Sequence, residues 1–259
     1  MTPSAIDAAA MHLFAARRHR RPGPRLPRGS RPETIDEALA IQRRIALLLK
    51  EPIGGWKCAL PKPDKIVIAP IYQETIRSTS PAPVPAQGTG ARVEPEIAFV
   101  LNRDLPPRKA PYTEAEVRAA IGETRLVLEM MGSRYADSTS IPYPEILADS
   151  ANNYGLFVGP VVPNGLDRNL QSFALSISGP SGAILARDGG HPDGHPLLPL
   201  VWLANWFGTN AIGWGAGLAA GQIITTGSYA GALDVPLATP LTVTFGDLGK
   251  LAVTLLPVG

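Results

Sequence analysis

A single cysteine, Cys58, leaves no partner for an internal disulfide in a chain of 259 residues. The chain has to be held by its core alone, and such cysteine usage fits a reducing, cytoplasmic compartment. No apolar run approaches 18 residues and the first residues carry no hydrophobic h-region, so neither a membrane partner nor a secretory signal is expected. Neither Gly-x-Gly-x-x-Gly nor Gly-x-x-x-x-Gly-Lys-Ser/Thr occurs, which removes support for a doubly wound nucleotide-binding fold. Charge is also sparse, at 18% of residues with a net charge of +2. The basic residues do cluster at Arg17, Arg18, His19, Arg20, Arg21, Arg25 and Arg28. No aromatic residues interleave them, so they read as a solvated helix end running into a Pro/Gly linker, and no nucleic-acid partner is expected.

What the chain does have is apolar content, 45% of residues, enough to bury one large domain or a domain with a small appendage. Thr2-Pro3 opens a helix that ends before Pro22, and Thr34-Ile-Asp-Glu37 is a capping box opening a second helix that extends to about Lys50. Residues 1–52 are therefore expected to form an N-terminal helical segment. After Pro52 the texture changes to short strands and Pro/Gly-rich loops, so 53–259 reads as a second, strand-rich domain. A second capping box, Thr113-Glu-Ala-Glu116, opens a short helix leading to the strand that bears Glu129. Strands are expected at 155–162, 173–178, 183–187, 222–226, 241–245 and 251–256. A helix over 196–207 is apolar nearly all round and is expected to be buried. The pattern is α+β, with helices early and strands late.

Polar groups inside this apolar background carry the chemistry. In Arg92-Val-Glu-Pro-Glu-Ile-Ala-Phe-Val-Leu101, Glu94 and Glu96 share one face of a strand. Two carboxylates roughly 6 to 7 Å apart on one face repel unless a cation lies between them. Glu-x-Glu is often only a solvated face. Glu129, enclosed in Leu126-Val-Leu-Glu-Met-Met131, has little access to water and needs a partner, which favours an oxygen-only metal site. Such ligands suit Mg²⁺ or Mn²⁺.

Lys57, in Gly54-Gly-Trp-Lys-Cys58, is a candidate proton carrier whose pKa burial and a nearby metal would lower; its alternative is a surface lysine on a strand edge. Asp149, in Leu147-Ala-Asp-Ser-Ala-Asn-Asn-Tyr154, is either an acid or a turn residue. His191 and His195 lie in a Pro/Gly-containing loop that argues against a metal pair. Cys58, without an evident base, reads as a small buried side chain.

These motifs together resemble the fumarylacetoacetate hydrolase superfamily, in its branch of 2-keto-4-pentenoate hydratases and 4-oxalocrotonate decarboxylases. Gly55-Trp-Lys57, Val93-Glu-Pro-Glu-Ile-Ala-Phe-Val100, Glu129-Met-Met-Gly-Ser-Arg134, Ala148-Asp-Ser-Ala151 and Ile224-Thr-Thr-Gly-Ser228 carry the resemblance, in order, across most of the chain. It implies a mixed β-roll core preceded by helices, a homo-oligomer, and Mg²⁺ or Mn²⁺ on Glu94, Glu96 and Glu129. Lys57 is implied to be catalytic, and Thr226, Ser228, Arg134 and Asp149 to be substrate-binding. Two departures stand out: Ala69 where relatives carry an acid, and Gly132 where they carry Asp. The implied reaction is hydration of a 2-hydroxy-2,4-dienoate to a 4-hydroxy-2-oxo acid. Alternatives are decarboxylation of a vinylogous 2-oxo diacid, hydrolysis of an acylpyruvate, or binding of a 2-oxo acid without turnover.

Overall fold

The structure is a computed structural model and describes residues 1–210, 214 and 217–258. Its two N-terminal helices, α1 (Pro3–Arg18) and α2 (Ile35–Leu49), start at the expected caps: the Thr2 hydroxyl accepts from Ala5 N–H, and Thr34 and Glu37 form the reciprocal box. They pack on each other through Ala9, Leu13, Ala38 and Ile45. That cluster also takes in Tyr135 and Leu147, so the helices share their core with the later chain.

Strands then follow in chain order: β1 (Ile53–Lys62), β2 (Lys65–Tyr72), β3 (Ile76–Arg77), β4 (Ala82–Val84) and β5 (Gly90–Leu101). Helix α3 (Glu114–Ala119) leads into β6 (Ile121–Met131), and α4 (Tyr143–Ala148) precedes β7 (Asn153–Val161). The remainder is β8 (Ser172–Gly179), β9 (Gly182–Gly190), α5 (Leu197–Asn210), β10 (Ile223–Ser228), β11 (Leu233–Pro236), β12 (Pro240–Phe245) and β13 (Gly249–Pro257).

One sheet runs β2-β1-β10-β5-β6-β7-β3, with β11 paired to part of β5; a second runs β4-β13-β12-β8-β9. Alternation along the strands divides the first sheet into two faces. Trp56, Phe99, Leu128 and Ile224 point into the main core with Leu251 of the second sheet and Phe207 of α5. The Trp56 and Phe207 rings meet edge to face at 4.9 Å. The opposite face carries Ile71, Ala98, Val127, Leu156 and Ile223, a small apolar cluster at one end.

Helix α5 departs from the all-round burial expected of it. Leu200, Leu203 and Phe207 are buried, but Leu198 is 40% exposed, so the helix lies on the sheet with one face outward. The sequence also left out β2 and α4. A Pro-containing strand, Lys65-Ile-Val-Ile-Ala-Pro-Ile-Tyr72, has weak strand character by itself and is formed by antiparallel pairing with β1. No described helix is long and apolar enough to cross a membrane.

Candidate metal centre and active site

Glu94 on β5 lies directly opposite Glu129 on β6, and Glu96 follows on the same face. One carboxylate oxygen from each of the three lies within 4.8 Å of the other two. Glu96 and Glu129 are 2% and 0% exposed, so neither charge is hydrated. Burial first, then the neighbouring carboxylates, pushes Glu94 up to about 7 and Glu96 up to about 8. Glu129 Oε2 is buried without a hydrogen-bond partner among the described residues. Three hard oxygen donors, mutually repelling and with one orphan oxygen, fit a divalent cation.

Supporting contacts hold Glu129 and Glu96 in place. Glu129 Oε1 accepts from Lys57 Nζ at 2.7 Å and from Asn153 Nδ2 at 2.8 Å. Glu96 Oε2 accepts from the Thr225 hydroxyl and from Gly227 N–H at 2.9 Å. The second of these depends on a break in register: β10 pairs with β5 at Thr225↔Ala98 and next at Ser228↔Glu96. Within that bulge Gly227 adopts φ +130, and a Cβ there would meet Pro192 at 3.0 Å. Glycine is thus required where the backbone turns its N–H onto Glu96.

Lys57 reaches Glu129 across three strand spacings, since β1, β10, β5 and β6 are consecutive neighbours. On a flat sheet that is roughly 14 Å, too far for a lysine and a glutamate to meet. The sheet therefore curls, placing Lys57 and the acids on the inside of the roll. Burial by itself would lower the Lys57 ammonium, but Glu129, Glu94 and Glu96 outweigh it and hold the group charged. The lowering expected from sequence rests on burial and a nearby metal; among the carboxylates alone the lysine is raised, because they are its surroundings. Lys57 Nζ also lies 3.4 Å from the Ala151 carbonyl. That carbonyl belongs to three successive residues at positive φ: Ser150 (54°), Ala151 (50°) and Asn152 (60°). Non-glycine residues in this region are strained, so tertiary contacts hold the turn.

A cavity of about 470 Å³ opens onto this group, lined by Lys57, Glu94, Glu96, Asn152 and Ser228, with Lys65 and Tyr143 also in its wall. Ala69 is the cross-strand partner of Lys57, so the acid missing from the family pattern is missing from the flank of the site. Gly132 is filled from outside: a Cβ there would meet Pro85 at 2.5 Å.

No family model matches the chain. A 2-keto-4-pentenoate hydratase from Paraburkholderia xenovorans is 32% identical over 245 residues, covering 88% of this chain and 86% of that relative. The chain belongs to the 2-keto-4-pentenoate hydratase family. Its fold is shared with 4-oxalocrotonate decarboxylase from Pseudomonas putida G7, complexed with magnesium and adipate, at TM-score 0.77 and 19% identity over 99% of both chains. A fumarylacetoacetate hydrolase family protein from Yersinia pestis matches 80% of this chain and 94% of its own at TM-score 0.55 and 15% identity. The α+β roll is the fold these two solved structures share with the chain.

Within this hydratase family member, the structure brings Lys57, Glu94, Glu96 and Ser228 to one cavity, with Glu129 buried behind its lining against Lys57 and Glu94. Thr226 is fully buried and turns away, its hydroxyl 3.5 Å from His191 Nε2. Arg134 and Asp149 lie elsewhere: Asp149 Oδ2 accepts from Arg134 N–H at 2.7 Å, and Arg134 lines a second cavity with Arg17. His191 is buried and pulled down to about 4 by desolvation, and His195 has no part in the triad. Burial pushes the Cys58 thiol up, which makes it unsuited to act as a nucleophile.

Two contributors escaped sequence reading, Thr225 and Asn153. Strand parity could have found Thr225, since it faces the same way as Lys57 across β1 and β10. Nothing local marks Asn153, which reaches Glu129 only because β6 and β7 pair.

Proposed function

We propose that the protein is a divalent-metal-dependent hydratase that adds water to a 2-hydroxy-2,4-dienoate, giving a 4-hydroxy-2-oxo acid, with Mg²⁺ or Mn²⁺ on Glu94, Glu96 and Glu129. The observation carrying this reading is the carboxylate triad, buried at Glu96 and Glu129, beside a charged lysine at a cavity, in a chain of the hydratase family. A bound ion supplies Lewis-acid polarisation of the substrate's 2-oxygen. The remaining work falls to the chain's own groups. Lys57, held protonated at the cavity wall, is the group placed to give and retrieve a proton as the dienol ketonises and water adds. Ser228, the cross-strand neighbour of Glu96, lines the same cavity and offers a hydroxyl for the substrate carboxylate. Thr225 and Gly227 keep Glu96 aimed, while Arg134 and Asp149 act from behind by fixing the turn that carries Ala151 and Asn152.

One feature favours a second reading. Lys65 at the cavity wall could meet the distal carboxylate of a 2-oxo diacid, as a decarboxylase would require. Freshly generated 2-hydroxypenta-2,4-dienoate and a 2-oxo diacid should be assayed in the ultraviolet with Mg²⁺, Mn²⁺ or EDTA, with products weighed by mass spectrometry. Metal-dependent gain of one water is the expected result. Loss of carbon dioxide from the diacid, with the dienoate untouched, would replace hydratase by decarboxylase.

A further inference from the structure

The second cavity, about 120 Å³, lies away from the metal triad, and none of its lining residues lines the first cavity. Five arginines, at positions 17, 18, 20, 77 and 134, border it against two carboxylates, Glu51 and Glu74. The positive charge is concentrated by the fold, because these arginines come from the end of α1, from β3 and from the loop after β6. The C-terminal end of α1 accounts for Arg17 and Arg18 by its dipole. It does not account for Arg134, which is 3% exposed. A single buried carboxylate, Asp149, serves two guanidiniums at a distance, 3.6 Å from Arg134 Nε and 4.0 Å from Arg17 Nη2. Two cations on one acid leave positive charge uncompensated.

One detail points to an occupant. The Tyr72 hydroxyl, on a side chain 1% exposed, has no hydrogen-bond partner among the described residues, and Tyr72 lines this cavity under the Arg17 guanidinium, 5.2 Å from its ring. A buried hydroxyl without a partner costs stability unless something accepts from it. Arg20 sits just past the end of α1 at φ 51, where glycine is the usual residue. The backbone closes there with Arg21 N–H on Ala16 O and Arg20 N–H on Arg17 O.

We infer that this basic cavity is a second ligand site, taking a small oxyanion of the carboxylate or phosphate type against Arg17, Arg134 and the Tyr72 hydroxyl. The site is independent of the 2-oxo acid reading of the metal centre. A multiply charged oxyanion matches a planar guanidinium in geometry and offers the acceptor that Tyr72 lacks.

Calorimetric titration of the metal-loaded protein with inorganic phosphate, and separately with succinate, tests this and distinguishes the two classes. Saturable one-to-one binding of at least one probe is expected. It should weaken roughly tenfold in Tyr72→Phe and more in Arg17→Gln, by the usual worth of a hydrogen bond to a charged group. Tyr72→Phe removes one oxygen that bonds to nothing among the described residues, so it should fold as the parent does. Glu96→Gln should bind the probe unchanged. Absence of saturable binding, equal binding in Tyr72→Phe, or loss in Glu96→Gln instead would each overturn the inference, the last by placing the anion at the metal centre.

Discussion

Glu129 concentrates the chemistry of a single residue: it pairs across strands with Glu94, accepts from Lys57 and Asn153 through one oxygen, and leaves the other without a partner among the described residues. The anomaly of an acid inside Leu126-Val-Leu128 is visible in the sequence; the lysine that neutralises it, 72 positions away, is not. Replacing that lysine separates its roles. Lys57→Met removes a cation from beside the triad, so Mn²⁺ affinity measured by electron paramagnetic resonance should stay equal or rise. The chemical rate in the dienoate assay should fall by roughly 10²-fold or more. Weakened Mn²⁺ binding would mean the lysine organises the site and does not compete with the ion. Thr225→Val tests a residue that sequence reading passed over. Without its hydroxyl Glu96 retains only the Gly227 N–H, and metal affinity should drop roughly 10- to 100-fold, as for other supporting contacts around metal ligands. An unchanged affinity would remove Thr225 from the site.

The pairing of β1 with β10 is the element that brings Lys57 toward the acids, and it depends on a glycine. Gly55 lies against Ile223, where a Cβ would sit 2.2 Å from the Ile223 carbonyl oxygen and 2.8 Å from its Cγ2. Gly55→Ala must push the strands apart, at a cost of roughly 2–3 kcal/mol by the usual penalty of overpacking. A lowered urea midpoint together with weaker metal binding is expected. A wild-type midpoint would show that the two strands separate without consequence. Elements with local signals were legible beforehand: the capped helices α1, α2 and α3, and the alternating strand β5. β2 and α4 were not, because each is made by its neighbours and lacks a strong pattern of its own. α5 was legible as a helix but not in its burial, since hydrophobicity does not say which side the sheet will cover.

For the molecule as a whole, the buried acids link stability to pH and metal. Glu94 and Glu96 are raised to about 7 and about 8, so the metal-free folded chain binds more protons than the unfolded chain between roughly pH 4.5 and 8. Stability of the EDTA-treated protein should therefore fall as pH rises through that window. Lys57 is raised as well, but its titration lies at more alkaline pH, outside this window. A divalent ion replaces the protons, so the gap in melting temperature between Mg²⁺-loaded and EDTA-treated protein should widen from pH 5.5 to 8.5. A gap independent of pH would mean that the ion binds somewhere other than this triad.

The sequence by itself determined the family, the α+β class and the residues able to hold a metal, because these reside in local order: Glu-x-Glu on one strand face, a buried acid, and caps at the right offsets. Only the tertiary structure decided which of those residues meet. The curl of a sheet sums the twist and pairing of many strands, and no short segment encodes it. That curl carries Lys57 over three strands to Glu129, recruits Thr225 and Asn153, turns Thr226 aside toward His191, and gathers the scattered arginines around a second cavity.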